Sequence, residues 1–161
     1  SSLSPKRMAR EYDSISVCLS KGLGAPVGSV LVGSTETLYK AHRWRKMFGG
    51  GMRQAGVLAA AGIYSLENNV DRLSKDHHRA TEIATALERM DSYEVDLEQV
   101  QTNMVYVKCD KGGAESLIHR LEEFGIQALT IDSSTIRIVT HLHITDDDVQ
   151  RTISALESAQ Q

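Results

Sequence analysis

The chain is short of cysteine, of long apolar runs and of a dominant charge sign. Its two cysteines, Cys18 and Cys109, lie far apart and belong to no CxxC or CxxH grouping. That excludes a disulfide framework and a zinc-finger spacing. The longest uncharged, largely apolar run, Ala55 to Leu66, falls short of the roughly 20 residues that cross a bilayer. Formal net charge is -3 with 24% charged residues, so there is no basic field to gather nucleic acid and no acidic tail. Internal repeats and low-complexity segments are also missing. The opening stretch "SSLSPKRMAREYDS" has no apolar core of a secretory signal. Lys6, Arg7 and Arg10 among serines suit a transit peptide, but Glu11 and Asp13 follow at once. The expectation is a soluble protein with no membrane or nucleic-acid partner, cytoplasmic, with a mitochondrial location left open. The absence of an initiator Met adds the expectation that the natural chain starts before residue 1.

What remains is a chain of 161 residues, enough for one compact unit or two lobes. Ile15 to Leu19 is apolar and β-branched and suits a strand buried on both faces, and "GSVLVG" at 28–33 reads as a second strand after a glycine-rich turn. Thr35 looks like the N-cap of a helix running to about Lys46, stopped by three glycines at 49–51. Ala55, Leu58, Ala59, Gly62, Ile63 and Leu66 fall at helical spacing with a face of small residues that permits close backbone packing. Asn68 and Asn69 break the pattern before an amphipathic helix carrying Val70, Leu73, Ala80, Ala84 and Leu87. Beyond it, "MVYVK", "IQALTI" and "TIRIVT" read as strands. Leu117, Ile118, Leu121 and Phe124 mark a helix closed by Gly125, and Thr145 with Asp148 makes a capping-box start for the last helix.

Four cations stand out. Lys21 sits in "SKGLGAPVGS" directly after the first strand. As a loop lysine it is ordinary, but at the end of a buried strand, burial favours the neutral amine, the form that attacks a carbonyl. Gly22, Gly24 and Gly28 let backbone approach a ligand closely there. "RWRKMFGGGMRQAG" places Arg43, Arg45, Lys46 and Arg53 around three glycines. A basic helix end with a glycine cap accounts for part of this; the remainder resembles an anion site of backbone amides and guanidinium, suited to phosphate, carboxylate or a subunit contact. Arg137 alternates with Ile136 and Ile138 and lies on the opposite strand face, either exposed or clamping a carboxylate. His77 and His78, and His141 and His143 on one strand face, lack a third ligand, and no metal site is expected.

"CLSKGLGAPVGSVLVGS", the run from Ala41 through "GGGMRQAG" to "LAAAGIYSL", and "RIVTHL" resemble the C-terminal half of the low-specificity L-threonine aldolases. The resemblance covers nearly the whole chain, from about Asp13 to the last helix. It implies an α/β chain: the C-terminal part of the large domain of a fold type I, pyridoxal 5'-phosphate (PLP)-dependent enzyme, residues 1–67, and the small C-terminal α/β domain, residues 68–161. It implies cleavage of L-threonine or L-allo-threonine to glycine and acetaldehyde by retro-aldol chemistry, with a small β-hydroxy amino acid as substrate and a homo-oligomer, a dimer of dimers, as assembly. By the same resemblance Lys21 matches the Schiff-base lysine, Lys46 and Arg53 match residues near the cofactor phosphate, and Arg137 matches the arginine that grips the substrate α-carboxylate. The family's ring-stacking histidine, pyridine-nitrogen aspartate, second carboxylate arginine and phosphate cup precede the lysine, whereas only a short stretch precedes Lys21. A chain truncated at its N-terminal side, with little or no turnover alone, is therefore expected. The alternatives are a non-catalytic remnant or oligomerisation module of the same fold, and a related β-eliminating PLP lyase.

Overall fold

The computed structural model describes residues 4–110 and 112–160. Its contacts divide the chain into one unit up to Val70 and a second from Asp71 onward.

The first unit holds helix α1 (Pro5–Ala9), strands β1 (Ser14–Cys18) and β2 (Ser29–Gly33), and helices α2 (Thr35–Met47) and α3 (Gly56–Asn68). The two strands pair antiparallel from Ser14↔Gly33 to Cys18↔Ser29. Ser34, one residue before the expected Thr35, caps α2: its hydroxyl accepts from the Thr37 N–H at 3.2 Å. The helix stops before Gly49, whose φ of +81° ends the helical path. In α3 the small-residue face does permit close approach. Leu19 Cδ1 lies 3.1 Å from where a Cβ on Gly62 would stand, and Gly62 and Ser65 are buried. Ile63 and Leu66, expected on the same face, are exposed.

The expectation of a first strand buried on both faces is overturned. No β1 residue is buried, and Val30, Leu31 and Val32 of β2 are 44%, 40% and 50% exposed. Alternation puts Leu31 on the face opposite its two neighbours, so both faces of the ribbon are bare. The cause is the small number of layers: β1 and β2 pair with each other alone among the described residues.

The second unit packs helices on one face of a sheet. Helix α4 (Leu73–Leu87) leads through a 3-10 turn at Leu97–Gln99 to β3 (Met104–Lys108), α5 (Ala114–Glu123), β4 (Leu129–Asp132), β5 (Thr135–Val139) and α6 (Asp146–Ser158). The antiparallel sheet has the order β3-β5-β4. Period-2 positions Val105, Val107, Ile136 and Ile138 meet helical-period positions Ala80, Ile83, Ala84 and Leu87, together with Leu117, Leu121, Val149 and Leu156. This is one continuous apolar core. Val70, expected on α4, lies before it and is exposed.

The capping box of α6 is present in both directions: the Thr145 hydroxyl accepts from Asp148 N–H at 3.2 Å and the Asp148 carboxylate accepts from Thr145 N–H at 2.9 Å. These bonds hold the Asp148 carboxyl below its ordinary value of 3.8. Thr145→Ala should therefore cost about 1 kcal/mol in urea unfolding near neutral pH. A carboxyl with a depressed native pKa contributes stability above its ordinary value and loses it as pH falls through the native one, so the difference between the two proteins should shrink as pH drops below 3.8.

Candidate active site

Lys21 lies three residues beyond β1, in a loop closed at its base. Leu19 N–H donates to Gly28 O at 3.0 Å, Ala25 N–H to Leu19 O at 2.9 Å, and Gly24 N–H to Lys21 O at 2.8 Å. Gly28 closes the turn at φ +103°, a conformation that side chains resist, although open space surrounds it. The loop is anchored by buried Leu19, Leu23 and Ala25 and by Asn69 Nδ2, which donates to Leu23 O at 2.7 Å. The backbone around Lys21 is thus held in place while its side chain stays exposed. The desolvation expected of a lysine at the end of a buried strand is absent, for the same reason that β1 is bare. Among the described residues its amine has no hydrogen-bond or ion-pair partner.

Lys46 and Arg53 flank the second loop, and both are exposed. The Lys46 side chain lies against Gly51, where a Cβ would come within 2.8 Å of its Cδ. Glycine at 51 is what lets the lysine lie over the loop. The next helix, α3, starts with no side-chain cap, leaving amide donors and the positive end of the helix dipole for another acceptor. Gln54 takes φ +52° just before it, a left-handed conformation unusual outside glycine that no pattern in the sequence announces. The first loop reaches the same helix. Leu19 meets it at Gly62, six residues along from Gly56, or about 9 Å of helix rise from its N-terminus.

Arg137 belongs to the second unit, at the centre of the helix-free sheet face, paired across to Tyr106 and Leu129. The alternation with buried Ile136 and Ile138 is as expected. Its Nε is buried without a hydrogen-bond partner. In the same motif Thr140 ties the sheet to α4, since its hydroxyl donates to Asp76 O at 2.6 Å and its backbone N–H donates to Asn103 O at 3.0 Å. His141 and His143 fall beyond β5, in a turn rather than on a strand face, with rings 5.8 Å apart and edge-on. No group of three metal-ligating side chains occurs among the described residues.

Cys18, three residues from Lys21, opens the "CLSKGLGAPVGSVLVGS" stretch, but no CxxC or CxxH spacing marks it as reactive. Hydrogen bonding to Ser20, first through its side chain and then its backbone, pulls the Cys18 thiol below its ordinary value, and the Lys21 ammonium adds to this. Burial raises the Cys109 thiol instead, with Asp110 and Asp132 adding to the rise. The thiolate is the reacting form, so brief iodoacetamide treatment at about pH 7.5 should label Cys18 first. Peptide mass mapping reads the order.

Comparison with known proteins decides the family. The model of the beta-eliminating lyase family matches residues 1–110. The chain belongs to that family. It is 46% identical over 156 residues to low-specificity L-threonine aldolase 1 of Arabidopsis thaliana, covering 95% of this chain and 44% of the plant protein. With the low specificity L-threonine aldolase of Escherichia coli K12 it shares 43% identity over 144 residues, covering 89% of this chain and 42% of the bacterial one. The chain therefore spans less than half the length of these relatives. Among solved structures, a candidate L-allo-threonine aldolase of Listeria monocytogenes superposes with a TM-score of 0.77 at 16% identity, over 98% of this chain and 47% of that one. The fold of this family member is the mixed α/β fold of the PLP-dependent fold type I enzymes, as its motifs implied. No described helix is long and apolar enough to cross a membrane.

Proposed function

We propose that the protein is a PLP-dependent aldehyde-lyase that cleaves L-threonine or L-allo-threonine to glycine and acetaldehyde. The observation that carries the reading is the place of Arg137 at the centre of the helix-free sheet face, with its Nε buried and unpartnered, a state it shares with the Nε of Arg72 and Arg120. Buried polar groups are nearly always satisfied within a protein, and a planar guanidinium is matched by a carboxylate.

The donor set fits the cofactor. An aldehyde calls for an amine with no competing partner, which Lys21 supplies, and a phosphate calls for the cation of Lys46, Arg53 and the uncapped start of α3. When bound, PLP supplies the electron sink for breaking the Cα–Cβ bond of a β-hydroxy amino acid. Lys21 would hold the cofactor through its aldehyde, on a backbone that the loop hydrogen bonds keep in place. Arg137 binds the α-carboxylate through a charge-assisted, two-pronged contact, which limits rotation about the Cα to carboxyl axis. Tyr106 and Leu129 are the cross-strand neighbours of Arg137 on that face. A homo-oligomer, a dimer of dimers, and a cytoplasmic setting belong to the same reading. Its support is the motif resemblance.

The test is acetaldehyde release from L-threonine by the PLP-loaded intact protein. Arg137→Lys keeps the charge and loses the fork, so KM for L-threonine should rise about tenfold or more while PLP capture is unchanged. The family's description, beta-eliminating lyase, favours one second reading. A keto acid from a β-substituted amino acid, with no acetaldehyde from threonine, would select it.

A further inference from the structure

A cleft of about 380 Å³ opens within the second unit where the start of α4 meets the start of α6, lined by Ser74, Lys75, His78, Arg79 and Asp146. It shares no residue with the positions of Lys21, Lys46, Arg53 and Arg137, and its volume suits a small organic ligand. Lys75, His78 and Arg79 fall at i, i+3 and i+4, which puts them on one helix face. Two of these charges stand against local preference. Lys75 lies in the first turn of α4, at the positive end of the helix dipole, and Lys75 and Arg79 are like charges one turn apart. Of the lining residues only Asp146 carries the opposite sign. The neighbouring acids are taken: Asp76 by both prongs of Arg72, and Asp148 by the N–H and hydroxyl of Thr145. Two cations against one carboxylate leave the cleft positive with His78 neutral. Arg79 is also held in place. Its Nε donates to Asp146 Oδ1 at 2.7 Å and its side chain is 14% exposed, while Nη1 stands 4.0 Å from Asp76, too far for a hydrogen bond. Among the described residues its two terminal nitrogens have no hydrogen-bond partner, and Lys75 and His78 are exposed without one.

We infer that this cleft binds a small phosphate monoester. Donors from three side chains, spread along and around one helix face, suit the three free oxygens of a tetrahedral phosphate better than the two coplanar oxygens of a carboxylate. A bound dianion also offsets the excess charge and the repulsion between Lys75 and Arg79. The volume beyond a phosphate group leaves room for the organic part. The site lies apart from the loops assigned to the cofactor, and the inference does not require the lyase reading.

The experiment is titration of the intact protein with glycerol 3-phosphate, followed through the NMR shifts of the backbone amides. Saturating shifts are expected at residues 74–79 and 146, with a dissociation constant of about 1 mM or below. Lys75→Gln should weaken binding about tenfold, and His78→Gln added to it should abolish binding, with the urea midpoint unchanged because both side chains are exposed. Succinate at equal ionic strength should bind about tenfold more weakly or worse. Shifts that never saturate, or that chloride reproduces at the same ionic strength, overturn the inference. So does an affinity that the single and double variants both keep, or equal affinity for succinate. Shifts confined to residues 46–56 overturn it as well, since they belong to the position assigned to the cofactor phosphate.

Discussion

Lys21→Ala in the intact protein should lower threonine cleavage by at least about a thousandfold, which is some 4 kcal/mol of barrier, and abolish covalent PLP capture. No other lysine among the described residues shares its placement. It stands in a loop closed by the Leu19–Gly28 and Leu19–Ala25 hydrogen bonds, with buried Leu19 and Leu23 on either side. Lys40 is held by Glu36 at 2.6 Å and Lys108 by Glu94 at 2.8 Å, so neither offers a free amine. Nothing buried leans on the Lys21 side chain, so the variant should unfold at the same urea concentration as the parent. Equal midpoints with lost capture separate a chemical role from a structural one.

Asp76→Ala should destabilise the second unit by about 3 kcal/mol. The carboxylate is 1% exposed and takes both prongs of Arg72, one of them at 3.1 Å, with Arg79 4.0 Å away. Removing it strands a partly buried guanidinium whose Nε already lacks a partner, and breaking a buried pair from one side costs about 3–5 kcal/mol. The lower end applies because Arg72 retains 17% exposure and can turn toward water. Asp76→Asn keeps the shape and one acceptor and should recover part of the loss. Urea unfolding followed by circular dichroism measures both. The Thr140 hydroxyl bonds the Asp76 backbone rather than its side chain, so that contact survives either variant and does not confuse the comparison.

The second unit was legible because its patterns are complete within the chain. Val105 and Val107 alternate as strand residues, Ala80, Ile83, Ala84 and Leu87 repeat as helix residues, and both sets find their counterparts within residues 71–161. The Thr145 box was readable for a local reason, since a cap involves residues three apart. The first unit misled at β1, where "ISVCL" carries the pattern of a strand covered on both faces and the chain supplies no cover. The Asp76 pair was not legible, because a charged residue on an amphipathic helix reads as solvated until its burial between Arg72 and Arg79 is known. Gln54 left no trace in the sequence, since its left-handed φ depends on how the loop enters α3. Of the candidate site, the positions of Lys21 and Arg137 on a turn and an open strand face followed from local pattern. The exposure of Lys21 depended on long-range packing, which pattern does not carry.

Everything proposed for the site turns on Lys21 being the amine that takes the cofactor. That is read by mixing the 161-residue chain with PLP, reducing with borohydride, digesting it and locating the pyridoxyl mass by tandem mass spectrometry. We expect the adduct predominantly on the peptide containing Lys21, and its loss in Lys21→Ala. An adduct spread evenly over Lys6, Lys40, Lys46, Lys75 and Lys108, with none enriched at Lys21, would overturn the assignment.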